Sequence, residues 1–244
     1  WLDGASVTLT NGFAYVDVPT ITSVSPNSGH GGTVVTIEGT GLLSGATNVT
    51  DVVLNGTSVD AILFHNDTLV IVVAGAALGG TGDVSVVSDD GATVTNTNGF
   101  TYVEPGVITS VYPASGQFGT LVTINGTNLF GGSTDLQELL LGEIAPLRVV
   151  SKSNTQIIVV ANTSAATGGA VSVQITSVSG ALVAGDNLWT HLEDGVVNSV
   201  VPTSGQIGTQ VVISGVRLLG GGDDIYDVEV AGFSTKYVGG TAND

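Results

Sequence analysis

The chain has 244 residues, enough for two or three domains of ordinary size, and 42% of them are apolar. Its 21 acidic and four basic residues give a net charge of −17, which excludes nucleic acid as a partner because phosphate groups would be repelled, and disfavours an anionic membrane surface for the same reason. Cysteine is absent, so disulfides and thiolate metal sites are excluded as well. No apolar run reaches 18 residues, and the sequence predicts no membrane insertion in this segment.

One block of sequence occurs three times along the chain. It reads ITSVSPNSG, ITSVYPASG and VNSVVPTSG at residues 21–29, 108–116 and 197–205. A second block reads GTVVTIEG, GTLVTING and GTQVVISG at residues 32–39, 119–126 and 208–215. The copies are 87 and 89 residues apart, and such a fixed period indicates tandem structural repeats.

The repeats divide the chain into four predicted parts. Residues 19–105 and 106–194 are two complete repeats. Residues 1–18 correspond to the C-terminal strands of a preceding repeat, and residues 195–244 correspond to the N-terminal part of a further one. Because both ends of the sequence fall inside a repeat, we expect this chain to be a segment of a longer tandem-repeat protein.

Short strands and tight turns fill each repeat. Val35 and Ile37 alternate with Val34, which predicts a strand with one buried and one outward face. Further strands are predicted at residues 69–73, 84–87 and 100–103. The turn signals Asn55-Gly56, Gly79-Gly80 and Asp90-Gly91 lie between strands, and no segment has the periodicity of a long helix.

The full pattern, I-x-S-V-x-P-x-S-G-x-x-G-T-x-V-x-I-x-G closed by G-F-x-Y-V, resembles the IPT/TIG repeat of Ig-like folds. The resemblance implies an all-β class of tandem Ig-like β-sandwiches. Members of that family occur in receptor ectodomains such as plexins, in cell-surface arrays, beside sugar-active enzyme domains and in Rel-type transcription factors. The DNA-binding role is not carried over, since the basic loops it needs are missing, and the resemblance gives a fold without an activity.

Aromatic side chains recur near the end of the last strand of each repeat, at Phe13 and Tyr15, at Phe100 and Tyr102, and at Trp189. Such regular recurrence predicts core packing, the alternative being a platform that stacks on sugars. The three histidines occupy different repeat positions and indicate no catalytic or metal cluster. We therefore expect the chain not to be an enzyme.

Two kinds of site are candidates. Five N-x-S/T sequons fall in turns or on an outward strand position, and they predict N-linked glycans at Asn48, Asn55, Asn66, Asn125 and Asn162. Acidic residues at successive junctions are candidate calcium ligands, although no known calcium-loop spacing is present: Asp17, Glu104, Glu193 and Asp194. Surface charge exposed to solvent is the alternative for the acidic residues, and turn chemistry is the alternative for the asparagines. No other cofactor is predicted.

Only residues 104–107 separate the last strand of one repeat from the first strand of the next. Such short connections predict stiff joints, and we expect the sandwiches to stack end to end as a rod. Few charges and outward apolar residues such as Leu121 predict self-association or contact with neighbouring repeats. The sequence thus favours an extracellular or cell-surface structural protein, a glycosylated fibre or appendage. The alternatives are the stalk or ligand-binding ectodomain of a receptor or adhesin, and an accessory carbohydrate-binding module of a secreted enzyme.

Overall fold

A computed structural model describes residues 6–12, 17–165, 168–222, 224–225 and 227–235. These residues form 21 β-strands and no helix, so the predicted all-β class is confirmed. Among them no helix is long and apolar enough to cross a membrane. The chain divides into two compact units, Trp1–Val103 and Glu104–Asp244, and each is described separately. The predicted boundaries at residues 18, 105 and 194, and the rod, stay predictions.

The first unit contains a complete β-sandwich. Its strands are β1 (Thr20–Ser25), β2 (Ser28–Gly29), β3 (Val34–Thr40), β4 (Val49–Leu54), β5 (Thr57–Ser58), β6 (Ala61–His65), β7 (Leu69–Val73), β8 (Gly80–Ser88) and β9 (Thr93–Tyr102). One sheet has the order β1-β3-β7-β6 and the other the order β2-β9-β8-β4-β5. All pairs are antiparallel except β2 with β9, which run parallel.

The second unit repeats this arrangement. Its strands are β10 (Val107–Tyr112), β11 (Ser115–Gly116), β12 (Leu121–Thr127), β13 (Leu136–Leu141), β14 (Arg148–Lys152), β15 (Gln156–Val160), β16 (Ala170–Ser177) and β17 (Leu182–His191). The sheets have the orders β10-β12-β15-β14 and β11-β17-β16-β13. Beyond them lie two short antiparallel pairs, formed by β18 (Val196–Val201), β19 (Val212–Val216), β20 (Glu229–Val230) and β21 (Phe233–Ser234).

Each sandwich closes over one apolar core. In the first, Val35 and Ile37 are fully buried while Val34 is only half-buried, as the alternation predicts. Phe100 and Tyr102 join that core, and their rings meet edge to face at 5.1 Å. Trp189 takes the equivalent place in the second core. The prediction that these aromatic residues pack in the core is confirmed, whereas Phe13 and Tyr15 lie outside the described residues.

A close backbone approach recurs at the start of every repeat. The first long strand of the repeat pairs with the second, and one of its residues lies opposite a glycine. Immediately after that residue, a bulge shifts the pairing by one residue. A Cβ atom added to this glycine would lie 2.1 to 2.2 Å from a carbonyl oxygen of the first strand. The glycines are Gly39, Gly126 and Gly215. Only a residue without a side chain permits this approach, which explains one repeated glycine of the sequence pattern.

Replacing the central one of these glycines tests the constraint. We expect Gly126→Ala to lower the free energy of unfolding of the second sandwich by about 2 kcal/mol or more, since backbone must move to admit the methyl group. Urea unfolding followed by the fluorescence of Trp189, which is buried in that core, measures the effect. Gly169→Ala is the control, because an added Cβ there meets nothing within 4 Å. Equal midpoints for the two variants would contradict the prediction.

Candidate functional site: the junction after the second repeat

The connection between β17 and β18 consists of residues 192–195 and lies within the second unit. The strand before it is anchored by His191, whose buried ring meets Trp189 edge to face at 5.7 Å. The Nε2 atom of His191 also lies 2.9 Å from the carbonyl oxygen of Leu141 on β13. The connection therefore starts from a fixed point in the core of the sandwich.

Asp194 is the centre of this junction. Its carboxylate accepts hydrogen bonds from the hydroxyl of Thr163 at 2.6 Å and from the backbone N–H of Phe118 at 3.0 Å. These two donors come from different loops, one after β15 and one after β11. The bond from Thr163, then that from Phe118, lowers the pKa of Asp194 below its ordinary value, with Arg217 and His191 adding smaller effects.

Arg217 holds the junction from the other side. Its Nε donates to the carbonyl oxygen of Asp194 at 3.2 Å, and its guanidinium pairs with Glu193 at 3.1 Å. Its backbone φ of 51° lies in the left-handed region, where the repeat equivalents are Gly41 (66°) and Asn128 (50°). An arginine is unfavourable in that conformation, so its contacts offset a backbone cost that glycine or asparagine largely avoids.

Gln117 completes the set of contacts. Its Oε1 accepts a hydrogen bond from the N–H of Gly195, and its Nε2 would lie 2.7 Å from a Cβ added to Gly220. Gly220 also has a positive φ of 61°, a conformation that favours glycine, and the Gln117 side chain would have to move to admit a Cβ atom there. We refer to Gln117, Phe118, Thr163, Asp194 and Arg217 as the junction network. Its members come from the loops after β11, β15 and β19 and bind the four-residue connection between the second sandwich and the β18–β19 segment.

The predicted calcium ligands have the following surroundings. Asp194 and Glu193 are engaged by the protein donors of the junction network. Asp17 and Glu104 are exposed, and the carbonyl oxygen of Glu104 accepts a bond from Asn128. Within the described ranges, no group of three or more acidic or histidine side chains is arranged to hold a metal ion. Calcium binding stays a prediction for these four residues.

The five sequons differ in how their amide groups are used. Asn55 is half-buried with a positive φ of 46°, and its Nδ2 donates to the carbonyl oxygen of Gly80 at 3.1 Å. The Nδ2 atoms of three others also donate hydrogen bonds within the protein, namely Asn48, Asn125 and Asn162. Asn66 alone among the five uses only its oxygen, which accepts from the N–H groups of Thr68 and Leu69. Its exposed nitrogen is therefore the one best placed to receive a glycan.

The sequence pointed to this junction only through its acidic residues, as candidate calcium ligands. Glu193 and Asp194 were singled out as candidate ligands, whereas Gln117, Thr163 and Arg217 were not assigned a role. Arg217 carried a signal, because a charged residue stands where the other copies have glycine and asparagine. Thr163 lies in a loop 31 residues before Asp194, and nothing in the repeat pattern brings the two together.

Removing the central carboxylate tests the junction network. We expect Asp194→Ala to accelerate amide hydrogen exchange at Phe118 by about tenfold or more, because that N–H loses its acceptor. Glu143→Ala is the control, since Glu143 is an exposed carboxylate in the turn between β13 and β14. The folded pKa of Asp194 is the lowered one. Protection should therefore be complete above the ordinary value of about 3.9 and be lost as pH falls through the folded value. Protection unchanged in Asp194→Ala would contradict this account.

Glycan occupancy tests the distinction between the sequons. When the chain is expressed through a eukaryotic secretory pathway, we expect glycopeptide mass spectrometry to show high occupancy at Asn66 and little at Asn55. The reason is that the Asn55 nitrogen is hydrogen-bonded and its side chain is half-buried. Asn66→Gln should remove the main glycan mass, and Asn55→Gln should leave it unchanged. If Asn55 and Asn66 were glycosylated to the same extent, the hydrogen bond and burial of the Asn55 side chain would not determine glycan occupancy.

Comparisons with known proteins give a family and a fold. The sequence profile of the IPT/TIG domain matches residues 19–102 and 107–188, and no curated protein matches the chain. Among solved structures, SGBP-B of the Bacteroides ovatus mixed-linkage glucan utilization locus, in complex with a mixed-linkage heptasaccharide, is 15% identical with a TM-score of 0.30. It matches 76% of this chain and 47% of its own. Surface glycan-binding protein PbSGBP-B from Prevotella bryantii is 14% identical over 72% of this chain and 43% of its own, also with a TM-score of 0.30.

Gamma-CGTase from Alkalophilic bacillus clarkii is 21% identical over 69% of this chain and 25% of its own, with a TM-score of 0.32. This chain spans less than half the length of each of these three structures. Likeness at these TM-scores carries no argument about activity or ligands. The profile, however, matches two tandem copies over more than half of the sequence. The chain therefore belongs to the IPT/TIG domain family, with the fold of tandem Ig-like β-sandwiches.

Proposed function

We propose that this chain is a non-catalytic, extracellular structural segment of a longer tandem-repeat protein that forms a fibre or surface appendage. The observation that carries the proposal is the junction network. Its polar side chains bind the connection after the second sandwich to the loops on either side of it in sequence. A repeat protein transmits force or keeps its shape only if successive repeats cannot swing freely, and this network restricts that motion.

The contacts of the junction explain how a short connection becomes stiff. A flexible linker needs residues free to change φ and ψ, whereas the carbonyl oxygen of Asp194 and the N–H of Gly195 are both bound by side chains. The glycines Gly195 and Gly220 allow the approach, since an added Cβ would lie 2.5 Å from the carbonyl oxygen of Arg217 or 2.7 Å from Gln117. We infer that such junctions favour a rod of stacked sandwiches.

The surface supports an extracellular setting. Large apolar side chains remain exposed on the outer faces, among them Tyr112 at 77% and Leu121 at 54% of their area. Either assembly or attached glycan would cover such surface, and both suit a glycosylated fibre. Asn66, with its exposed nitrogen, is the position at which we propose a glycan in a secretory host.

Neither alternative is favoured by an observation of its own. A sugar-binding module needs exposed aromatic side chains that stack on a ring, but the recurring Phe100, Tyr102 and Trp189 are at most 1% exposed. Tyr112 is exposed, but the equivalent residues of the other copies, Ser25 and Val201, are not aromatic, so it forms no repeated platform. The glycan-binding proteins with which the fold was compared resemble it too weakly to change this. A receptor or adhesin stalk would use the same stiff junctions, and it differs from a fibre in what lies at its end.

Electron microscopy of unfractionated native material separates these options. We expect long, uniform filaments with an axial repeat close to the length of one sandwich, roughly 30 Å from strands of about ten residues. Asp194→Ala in the full chain should make the filaments more flexible, because the connection after the second sandwich loses the hydrogen bonds that Asp194 accepts. Isolated short particles ending in a larger head would overturn the fibre proposal and make the chain the stalk of a receptor, adhesin or enzyme.

A further inference from the structure

Two edge strands at equivalent positions are open to pairing. β6 ends the first sheet of the first sandwich and pairs only with β7, and β14 ends the matching sheet of the second and pairs only with β15. An edge strand presents a row of free backbone N–H and C=O groups to any chain that can lie beside it. Natural proteins block such edges with charges, bulges or covering loops.

The apolar side chains of both edges are exposed. Leu63 and Phe64 on β6 are 58% and 46% exposed, and Val149 and Val150 on β14 are 39% and 46% exposed. Each strand carries one bulged residue, Leu63 in β6 and Val150 in β14, where the register shifts against the inner neighbour. A bulge gives some protection against pairing, yet on both edges the bulged residue and a paired neighbour expose apolar surface.

The charges of the two edges are opposite. β14 begins at Arg148 and ends at Lys152, two of the four basic residues in the whole sequence. β6 has no basic residue other than His65 and is flanked by the exposed Asp60 and Asp67. Pairing of β6 with itself would bring like charges together, whereas pairing of β6 with β14 would bring opposite charges together.

We propose that β6 of one copy of this chain pairs antiparallel with β14 of a second copy. With Leu63 opposite Val150, Lys152 lies beside Ala61, next to Asp60, and Arg148 lies opposite His65, two residues from Asp67. Lys152 also pairs with Asp135 of its own chain at 2.5 Å, but both groups are about 40% exposed, so that pair is weak and exchangeable. The contact is heterologous, so each copy keeps a free β14 and a free β6 through which further copies can be added.

The inference rests on the proposed structural function and specifies the contact through which chains associate sideways. It is separable from that function, because a single strand of stacked repeats would still form a fibre without this contact. The chain has no cysteine, so a thiol introduced by mutation can form a disulfide only with another introduced thiol. Disulfide formation between two single-cysteine variants therefore reports directly on the contact.

The experiment mixes two single-cysteine variants of the full chain, Leu63→Cys and Val150→Cys, produced without glycan and oxidised under mild conditions. Residues directly opposite in an antiparallel pair have Cβ atoms close enough for a disulfide. We expect a mixed dimer in which mass spectrometry identifies the 63–150 disulfide, at a yield that falls about tenfold when Arg148→Glu and Lys152→Glu are added. Raising the salt concentration should lower the yield in the same direction.

The matched control is Leu63→Cys mixed with Leu121→Cys, because Leu121 is equally exposed at 54% but lies on the inner strand β12. This mixture should give no specific dimer. A 63–63 disulfide in place of the 63–150 disulfide would overturn the proposal in favour of symmetric pairing. Equal yields of 63–63, 63–121 and 63–150 disulfides would also overturn it, and would indicate a surface normally covered by the glycan at Asn66.

Filaments in the electron microscope without a 63–150 disulfide would leave the structural function standing and remove the edge contact. A 63–150 disulfide from material that shows only headed particles would support the contact and remove the fibre. Sedimentation of the unmodified chain at increasing concentration gives a second measurement that needs no cysteine variant. Association that Arg148→Glu with Lys152→Glu abolishes supports the proposal, and association that this variant leaves unchanged overturns it.

Discussion

The rest of the fold depends on the close approach of the first two long strands in each repeat. At Gly126 the backbone of β10 lies so near that its carbonyl oxygen occupies the space of a side chain. This contact sets the bulge that follows in β10, and the bulge sets which residues of β10 face the core. The same contact is present at Gly39 and Gly215, so one steric rule fixes the register of every copy.

Backbone constraints of this kind are what the sequence made predictable. The β-sandwich class, the repeat period, the strand β7 and the inward residues Val35 and Ile37 all follow from alternation and repeated glycines. The last strand was predicted too short, since β9 begins at Thr93 rather than near Phe100. Asn98 has a positive φ of 53° inside the strand. In the sequence alone, Asn98-Gly99 resembles a turn between two strands.

Edge strands and the junction network were beyond sequence reasoning for a different reason. β14 is exposed along its whole length, so burial imposes no alternation on it and its residues resemble a loop. The partners of Asp194 come from loops 31 and 76 residues earlier, and these loops meet only because the sandwich brings β11 and β15 to the same end. The contacts of Asp194 form only in the complete fold and leave no local pattern in the sequence. The repeated glycines, by contrast, reflect a requirement of the local backbone and are visible in the sequence.

These two kinds of constraint explain which positions are the same in all copies of the repeat and which differ. The glycines that a close backbone approach requires are the same in every copy, whereas other positions, including one in the left-handed region, differ from one copy to the next. The left-handed position that is Gly41 in the first repeat and Asn128 in the second becomes Arg217, and that change supplies the donor which binds the following connection.

The scarce basic residues follow the same rule. Arg217 stands at the junction network, while Arg148 and Lys152 stand on the open edge β14. In a chain with 21 acidic residues, most pairs of charged side chains repel one another. The position of each basic side chain therefore determines where two charged segments attract one another instead. The sandwiches thus supply a uniform scaffold, and these three basic residues stand at the places where we propose that it is joined to itself.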